Sequence, residues 1–468
     1  MGRLSLKIFT IFLLFSLLVK GEVKNLYVDP VNGDDSNNGE EEHPYKTISA
    51  AVSVVTEDED LQLYLFPGTY QGSKNKNVLF PGNSYIEFYV TTTGPSNQYV
   101  IVDCQNEVDS IAFIGNKSLT IDSSNGHLRI QNCAKAIKME LAANFAPLQE
   151  YNYQFSALTI EFTNCTTSIY LNWIDNVSIT NCTFTSNAQG NTLDIANIDD
   201  KILIFTSYFF GSAGRISIRD TNYTTFDTCY SNQGFMITSS NEVSSYNKFT
   251  STIIENTCGS DDIHYALDLS GSQFVLEATS IINNQCGGIN FQESEFNLKG
   301  CTFYNNLFVS GGALALYYSN GTISQSSNFT NNIATLYGGA IYLASSNVSI
   351  VDTSFTNNQA SSGAVIYCDP EFSGASSVDY SEEDVILQSN VNSNTNGTDI
   401  DCFDIEYISS IPEDEYIDTP GAGLGLEDVF WIIFIVVMAI IIVIGVGGGI
   451  VAFFYRRRRA GYYNVPDY

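Results

Sequence analysis

Histidine, tryptophan and basic residues are scarce in this chain. Its 468 residues include three histidines, two tryptophans and 20 lysines and arginines against 51 aspartates and glutamates, so the formal net charge is −31. Nucleic acids and anionic lipids select basic surfaces, which argues against both as partners. The ten cysteines form no C-x-x-C pair, and with so few histidines no zinc site is expected. We therefore expect no metal, no cofactor and no nucleic-acid partner.

Long amphipathic helical stripes and the leucine-rich pattern L-x-x-L-x-L are also absent. Their absence excludes ankyrin, HEAT, TPR and leucine-rich repeats. Between Thr279 and Tyr367 the chain nevertheless repeats a unit, in which an Asn-Asn pair is followed by Gly-Gly or Ser-Gly and an apolar residue. The first apolar residues of the four units lie 22, 26 and 26 residues apart, at Ile281, Phe303, Phe329 and Phe355. A period in the twenties is typical of a solenoid.

The content of each unit predicts a parallel β-helix. Short segments alternate apolar and small polar residues, as strands do; they are Gly321–Ser324, Ala340–Leu343 and Asn347–Val351. Asn and Gly suit the corners because both adopt positive φ more readily than other residues. We expect corner asparagines to hydrogen-bond along the stack, and Phe303, Phe329 and Phe355 to stack inside. Because parallel crossovers are overwhelmingly right-handed, the fold class is all-β, a right-handed parallel β-helix solenoid.

The repeat F-x-x-N followed by G-G-A and an apolar residue resembles that of the polymorphic outer membrane proteins of chlamydiae. It departs from that pattern at Ile281 and Ser362, where Phe and Gly are expected. The matching segments are Phe184–Asn187, Phe303–Asn306, Phe329–Asn332 and Phe355–Asn358. This resemblance implies a β-helical passenger domain with an adhesive role.

The N-terminal segment resembles the opening of pectin lyase-like β-helix proteins. Leu26–Pro30 is followed by a Gly/Asp/Asn-rich loop, by the motif Pro44–Val52 and by Pro67–Tyr70. We expect Thr47 to cap a short helix that covers the open end of the first coil. The apolar residues of that helix are Ile48, Ala51, Val52 and Val55.

One segment of this loop, Asp34-x-Ser36-x-Asn38-Gly39, imitates the first half of a calcium-binding loop. Its twelfth position is Tyr45 rather than the bidentate Glu that such a loop needs. We therefore favour a polar turn over a calcium site.

The chain order indicates a type I plasma-membrane protein with an extracellular N-terminal domain. Residues 429–455 carry no charge and, at about 1.5 Å per residue, exceed the bilayer core of about 30 Å. Arg456–Arg459 follows as a stop-transfer signal. The predicted segments are a signal peptide at 1–21 (an N-terminal anchor helix is the alternative), a β-helix ectodomain at 22–402 with its cap at 22–70 and its most regular repeats at 279–367, an acidic stalk at 403–428, a transmembrane helix at 429–455 and a cytoplasmic tail at 456–468.

Cysteines and asparagines also recur along the chain. Asn-Cys occurs at Asn132, Asn164 and Asn181, and an even cysteine count in a secreted domain predicts disulfides between neighbouring coils; buried, stacked thiols are the alternative. We also expect one recurring strand, at Leu119–Ile121, Leu158–Ile160 and Val177–Ile179. The predicted N-glycosylation sites, of which only some are expected to be occupied because several coincide with the corner asparagines, are Asn116, Asn164, Asn176, Asn181, Asn222, Asn320, Asn328, Asn347 and Asn396.

The fold family offers two functions, catalysis and recognition. Glycoside hydrolysis needs carboxylates gathered around one bond. The segment Asn191–Asp194 resembles the N-T-D motif of polygalacturonases, and the pair Asp199-Asp200 resembles their D-D motif. The G-H-G and R-I-K motifs of those enzymes do not follow, and His264 is the only later histidine. A lyase would need a calcium cradle and an Arg base. The ectodomain arginines occur in no lyase-like motif; they are Arg129, Arg215 and Arg219.

We therefore favour a non-catalytic cell-surface glycoprotein, whose β-helix binds extracellular glycans or surface proteins. The chain has 28 tyrosines, which suit stacking on sugar rings and contacts with proteins. The alternative is a polysaccharide lyase or hydrolase. In the tail, Tyr462–Val465 matches the Y-x-x-Φ pattern of endocytic adaptor signals.

Overall fold

In the computed structural model of the protein, the described residues are 23–56, 59–88, 99–124, 126–140, 153–185, 190–211, 214–239, 245–257, 265–372, 375–381, 383–392, 398–402 and 405–406. The chain divides into two units, Met1–Ser409 and Ser410–Tyr468, and all described residues belong to the first. The predicted signal peptide, most of the acidic stalk, the predicted transmembrane helix, the tail, His264 and Asn396 lie outside these ranges. Within them, no helix is long and apolar enough to cross a membrane.

Short strands account for most of the described residues. In chain order they are β1 (Val23–Val28), β2 (Asp60–Leu65), β3 (Gly68–Tyr70), β4 (Val78–Phe80), β5 (Ser84–Phe88), β6 (Tyr99–Asp103), β7 (Ile111–Gly115), β8 (Leu119–Asp122), β9 (His127–Gln131), β10 (Lys135–Glu140), β11 (Gln154–Leu158), β12 (Ile160–Thr163), β13 (Thr167–Thr180), β14 (Thr183–Thr185), β15 (Gly190–Phe205), β16 (Tyr208–Phe210), β17 (Gly214–Thr221), β18 (Tyr223–Asp227), β19 (Tyr230–Ser231), β20 (Gly234–Thr238), β21 (Tyr246–Thr250), β22 (Ile253–Glu255), β23 (Leu267–Ser270), β24 (Gln273–Glu277), β25 (Ser280–Ile282), β26 (Ile289–Gln292), β27 (Glu295–Lys299), β28 (Thr302–Tyr304), β29 (Leu307–Ser310), β30 (Leu314–Tyr317), β31 (Asn320–Ser324), β32 (Ser327–Thr330), β33 (Ile333–Tyr337), β34 (Ile341–Ala344), β35 (Asn347–Ile350), β36 (Thr353–Thr356), β37 (Gln359–Ala360), β38 (Ile366–Cys368), β39 (Ser377–Tyr380), β40 (Val385–Gln388), β41 (Val391–Asn392), β42 (Ile400–Asp401) and β43 (Ile405–Glu406).

These strands stack in parallel as four ladders, and from β4 onward each complete coil adds one strand to each of the first three. Ladder 1 contains β4, β7, β10, the first halves of β13 and β15, β17, β20, β23, β26, β30, β34, β38 and β42. Ladder 2 contains β1, β2, β5, β8, β11, the second halves of β13 and β15, β18, β21, β24, β27, β31, β35, β39 and β43. Ladder 3 contains β3, β6, β9, β12, β14, β16, β19, β22, β25, β28, β32, β36 and β40, and the short ladder 4 contains β29, β33, β37 and β41.

This arrangement is a parallel β-helix, as the repeat predicts. Each coil runs from ladder 1 to ladder 2 to ladder 3, and ladder 4 lies between ladders 3 and 1 in the C-terminal coils. Ladder 3 has 13 strands, which corresponds to a stack of about 58 Å at roughly 4.8 Å per rung. The right-handed sense stays a prediction.

The core consists of side chains stacked on their equivalents in the next coil. Phe303, Phe329 and Phe355 are fully buried, and their ring centroids lie 4.5 and 4.9 Å apart. The prediction of an internal phenylalanine stack is confirmed. Phe162, Phe184 and Phe209 form a second such stack, with spacings of 4.8 and 4.7 Å.

The Asn-Asn pairs shape the corner that follows ladder 3, and each residue of a pair has its own part. The first asparagine takes positive φ, for example 57° at Asn305 and 57° at Asn331. The second points inward and is fully buried, as at Asn306 and Asn332. Asn306 Nδ2 donates to Asn332 Oδ1 at 3.0 Å, and Asn332 Nδ2 donates to Asn358 Oδ1 at 3.1 Å. The predicted asparagine ladder is thus confirmed.

A short helix, α1 (Ile48–Val52), packs on the first coil. Thr47 is its N-cap, with Oγ1 accepting a hydrogen bond from Ala50 N at 3.3 Å. Ile48 and Ala51 are buried. The predicted capping of this helix by Thr47 is confirmed.

The loop before this helix is a polar turn. Asp35 binds Lys74 Nζ at 2.8 Å and accepts the hydroxyl of Thr47, while Asp34 accepts both the backbone and the hydroxyl of Ser36. Tyr45, at the twelfth position, is buried. The carboxylates of this loop are thus held by donors of the chain itself.

Two sequence predictions about the middle coils need correction. The partner of Leu119–Ile121 and Val177–Ile179 is Phe155–Ala157 rather than Leu158–Ile160, because Thr159 turns the corner with φ of 57°. The Asn-Cys pairs also occupy two different corners. Asn132 and Asn164 follow ladder 3, whereas Asn181 follows ladder 2.

Some cysteines form disulfides and others are buried thiols, so both predicted alternatives occur. Cys104–Cys133 and Cys368–Cys402 join neighbouring coils, with Cα–Cα distances of 4.9 and 4.8 Å, and Cys286 is also disulfide-bonded. Among the described residues, the buried cysteines that lie outside the disulfides are Cys165, Cys182, Cys229 and Cys301. Desolvation by burial raises the pKa of Cys165 and of Cys182 to about 12, so these thiols stay protonated.

Candidate binding face

The C-terminal half of ladder 1 presents a row of aromatic side chains outside the coil. In β30, β34 and β38 the residues Leu316, Leu343 and Ile366 belong to the core. Strand alternation therefore points their neighbours outward. Tyr342 and Tyr367 are in register on adjacent strands, so their rings lie one rung apart.

These rings form a cluster of their own, separate from the core. Tyr265 and Tyr342 are buried at its base with 7% and 5% of their surface exposed, and Phe308, Tyr317, Tyr367 and Phe372 pack against them with partial exposure. The centroid of the Tyr317 ring lies 5.7 Å from that of the Tyr342 ring and 6.0 Å from that of the Phe372 ring. Tyr318, 48% exposed, lies 6.2 Å from Phe372. We call this set the aromatic face.

Carboxylates border the aromatic face. The Tyr342 hydroxyl donates to Asp369 Oδ2, Asp401 lies beside Tyr367 in the next strand, and Asp268 accepts a hydrogen bond from Asn290 Nδ2 at 2.9 Å. Burial raises the pKa of Tyr342, and its hydrogen bond to Asp369 raises that pKa further. Burial also raises the pKa of Tyr367, with smaller contributions from the charges of Asp369 and Asp401. The tyrosines therefore remain neutral hydrogen-bond donors in a negative local potential.

Ladder 4 forms an apolar border along the same face. Tyr337 stacks on Tyr367 with ring centroids 4.5 Å apart, which joins the two surfaces. The aliphatic side chains Val309 and Leu336, close to Tyr337 on the ladder 4 strands, are 49% and 46% exposed. Exposed apolar groups next to rings and carboxylates are typical of an interaction surface.

The charge of ladder 1 changes along the solenoid axis. In the N-terminal half two of its acids pair with bases: Arg219 binds Asp194 at 2.7 Å and Lys138 binds Glu140 at 2.9 Å. Between residues 265 and 402 the sequence has 13 acidic residues and a single base, Lys299. Lys299 lies in ladder 2, 3.8 Å from Glu277. Ladder 1 therefore receives no basic residue from this stretch.

The eight predicted glycosylation sites in the described ranges lie off the strands that carry the aromatic face. Exposed side chains are those of Asn116, Asn181, Asn222, Asn320 and Asn347, and half-buried ones are those of Asn164, Asn176 and Asn328. They lie at the corners, on ladder 2 or on ladder 3, and none of these eight lies on a ladder 4 strand or on the ladder 1 strands of the aromatic face. Inward pointing, which would prevent glycosylation, occurs at none of them.

The structure does not gather the candidate catalytic carboxylates. Asp194 is in the outer row of ladder 1 and pairs with Arg219, whereas Asp199 and Asp200 lie further along the same strand, at its exposed corner. Burial raises the pKa of Asp199, and the charge of Asp175 adds to that effect. Within the ranges that the structure describes, no three His, Cys, Asp or Glu side chains form a metal-ligand group.

The two other arginines considered for catalysis are also engaged. Arg129 binds Glu161 at 2.9 Å, beside an open cavity of about 390 Å³ on ladder 3 that His127, Glu161 and Asn181 line. Arg215 Nη1 lies 3.8 Å from Met236 Sδ. Neither arginine is placed beside the aromatic face.

Sequence reasoning missed the aromatic face, although it noted the tyrosine content. The available signal was a tyrosine shortly after three of the four repeated pairs: Tyr317 after Gly311-Gly312, Tyr342 after Gly338-Gly339 and Tyr367 after Ser362-Gly363. Locating the face also required the alternation phase of the strands and the partner Asp369, which lies outside the repeated motif.

Two family models match the chain. The model described as a protein of unknown function (DUF1565) matches residues 31–295, more than half of the chain. The model of the Chlamydia polymorphic membrane protein repeat matches residues 326–344 and 352–369, where F-x-x-N and the glycine pairs recur. No curated protein matches the chain.

The solved structures that match the chain include two enzymes. The native GH136 lacto-N-biosidase from Eubacterium ramulus is 13% identical, with 78% of this chain and 68% of that chain covered and a TM-score of 0.29. The pectate lyase Pel9A is 14% identical, with 81% and 82% covered and a TM-score of 0.23.

Proposed function

This chain belongs to the DUF1565 family, which is described as a family of unknown function, and from that premise we propose that it is a non-catalytic recognition scaffold. It binds extracellular glycans or surface proteins through the aromatic face of ladder 1. The observation that carries this proposal is the row of partly exposed rings bordered by Asp268, Asp369 and Asp401. Rings and carboxylates together offer stacking surfaces and hydrogen-bond acceptors.

The distribution of N-x-[ST] sites supports the same face. Sugars attached at exposed sites such as Asn116 and Asn222 would project from the corner between ladders 1 and 2. Sugars at Asn320 and Asn347 would project from ladder 2. The strands of the aromatic face stay bare, which keeps them accessible in a glycosylated protein.

We propose further that the protein is held at the plasma membrane, with the solenoid outside. This part rests on the sequence: the signal peptide at 1–21, the stalk at 403–428 and the uncharged segment at 429–455 followed by four arginines. An anchored solenoid suits adhesion or recognition. In this reading Tyr462–Val465 serves as an endocytic adaptor signal.

The alternative function, lyase or hydrolase, has one observation in its favour. Asp199 is a carboxyl whose pKa is raised, as that of a general acid must be. It lies on an exposed corner, however, and the aromatic face offers no arginine as a base. Recognition therefore accounts for more of the geometry.

The test is a binding and turnover experiment on the full-length protein. Glycan and cell-surface protein arrays are probed, and released products are assayed in the same wells. We expect binding without products, and at least a fivefold weaker interaction for Tyr367→Ala, since a stacked ring contributes about 1 kcal/mol. Tyr208→Ala, which removes an exposed ring of ladder 3, is the matched control. Cleaved or unsaturated products that disappear in Asp199→Asn would refute the proposal.

A further inference from the structure

We infer that the aromatic face binds a basic, partly apolar polypeptide segment in extended conformation. This inference rests on the proposed recognition function and specifies its ligand. It starts from a difference between the two halves of ladder 1. Both halves carry tyrosines and carboxylates, but only the N-terminal half also carries lysines and arginines.

The N-terminal half already contains the interaction that we infer for the C-terminal half. Lys135 Nζ lies 4.1 Å from the centroid of the Tyr170 ring, and Lys138 lies 6.0 Å from the same ring while binding Glu140. Here a lysine, a tyrosine and a carboxylate form one group. A cation above a tyrosine ring is favourable because of the ring quadrupole.

The C-terminal half has the ring and the carboxylate without the lysine. Tyr367 lies in the negative potential of Asp369 and Asp401. Between residues 265 and 402 the one base, Lys299, is in ladder 2 and close to Glu277. In the described part of the chain, no ion pair engages Asp268, Asp369 or Asp401. Charge complementarity therefore requires the partner to bring the cations.

The accessible rings provide several places for such cations. Tyr317, Tyr367 and Phe372 are partly exposed, and Tyr318 and Tyr337 are 48% and 37% exposed. The buried Tyr265 and Tyr342 hold the cluster from below. Arginine and lysine side chains can lie over such rings while reaching a neighbouring carboxylate.

The aliphatic border decides between a polypeptide and an amino sugar. Val309 and Leu336 expose about half of their surface close to Tyr337 on the ladder 4 strands. These side chains gain stability by burying aliphatic groups, which peptide side chains supply and sugar rings do not. A segment that alternates basic and apolar residues matches both surfaces at once.

Register sets the length of the segment. Asp268, Asn290, Ala315, Tyr342, Tyr367 and Asp401 form one row across six strands. Five rungs of about 4.8 Å separate its ends, so the row is about 24 Å long. An extended peptide of about seven residues has that length.

The test uses the full-length protein and a labelled heptapeptide of sequence KVKVKVK. Fluorescence anisotropy gives its Kd, and the same peptide with acetylated lysines and a chitosan hexamer are measured in parallel. The face variant is Asp268→Asn with Asp401→Asn. The control variant, Asp352→Asn with Glu295→Gln, makes the same charge change at exposed residues on other faces.

We expect acetylation and the face variant each to weaken peptide binding at least tenfold, and the control variant to weaken it less than threefold. Tyr367→Ala should weaken it about fivefold, and raised salt should weaken it strongly. Equal loss in the face and control variants would overturn the inference, because it would show unspecific attraction to an acidic protein. Tighter binding of chitosan than of the peptide would overturn the polypeptide assignment.

The inference and the proposed function can fail separately. Array binding that Tyr367→Ala abolishes, without binding of the cationic peptide, would refute the inference and support the proposed function. No binding of array ligands or peptide, or binding that every face variant leaves unchanged, would refute both.

Discussion

Replacing one buried asparagine of the inner ladder tests the account of what holds the coils together. Asn332 Nδ2 donates to Phe303 O at 3.0 Å and to Asn358 Oδ1 at 3.1 Å. Its Oδ1 accepts the backbone and the side chain of Asn306, at 3.2 and 3.0 Å. Asn332→Leu keeps a similar volume but removes all four bonds, and it leaves Asn306 N without its acceptor.

The magnitude follows from the net value of a buried hydrogen bond, about 1 kcal/mol each. Four bonds predict a loss of about 4 kcal/mol. Asn390, at the end of the same ladder, accepts two bonds from Asn358 and donates one to Phe355 O. It is only half-buried, so water replaces much of what Asn390→Leu removes. We expect a loss of about 1 kcal/mol there.

Urea unfolding followed by circular dichroism gives both free energies, and hydrogen exchange shows which coils open. Because coils in a solenoid contact only their neighbours, we expect faster exchange in the coils around residue 332 before the rest of the stack. An equal loss at positions 332 and 390, or none at 332, would refute the view that the asparagine ladder stabilises the solenoid.

Three further predictions concern thiols, a glycine and glycosylation. The buried thiols outside the disulfides should resist N-ethylmaleimide at pH 8 and react in urea; they are Cys165, Cys182, Cys229 and Cys301. Burial raises the pKa values of these thiols to about 11 or 12. Their contribution to stability is therefore present below pH 9 and lost as the pH rises toward 12, which melting temperatures measured over this pH range would show. Unchanged melting temperatures over that range would contradict this prediction. Gly338→Ala should lower the melting temperature more than Gly72→Ala. Both glycines have positive φ, but of the two only Gly338 would bring an added Cβ close to a backbone oxygen, that of Ile341 at 2.1 Å. Equal shifts in melting temperature would contradict the steric argument. Glycopeptide mass spectrometry of the protein expressed in eukaryotic cells should find sugar at Asn116, which is exposed, and none at Asn164, which is half-buried and whose Nδ2 donates to Asn132 Oδ1 at 2.9 Å. The reverse pattern would contradict this assignment.

The periodic features of this protein were accessible from the sequence alone. The period in the twenties, the internal phenylalanines and the Asn-Asn corners all follow from rules that act within one coil and repeat in the next. A side chain such as Phe329 must face inward in its own strand, and the same residue one period away then stacks on it. Thr47 at the start of α1 was readable for the same reason, because an N-cap is a local interaction.

Pairing between coils of unequal length was decided only by the tertiary structure. Thr159 takes the corner that the pattern assigned to a strand, so Phe155–Ala157 replaces Leu158–Ile160 in the ladder. Cys133 pairs with Cys104 rather than with Cys165 in the following coil. Both alternatives place stacked residues one rung apart, and composition does not distinguish them.

The candidate site also depends on the tertiary structure. Tyr342 meets Asp369 through a hydrogen bond across 27 residues, and Tyr337 reaches Tyr367 from ladder 4, a sheet that no repeat pattern predicted. Strand alternation places a tyrosine outside the coil, but coil length and register decide which acid and which ring lie next to it. The sequence therefore determined the solenoid, and the stacking of its coils determined the composition of the aromatic face.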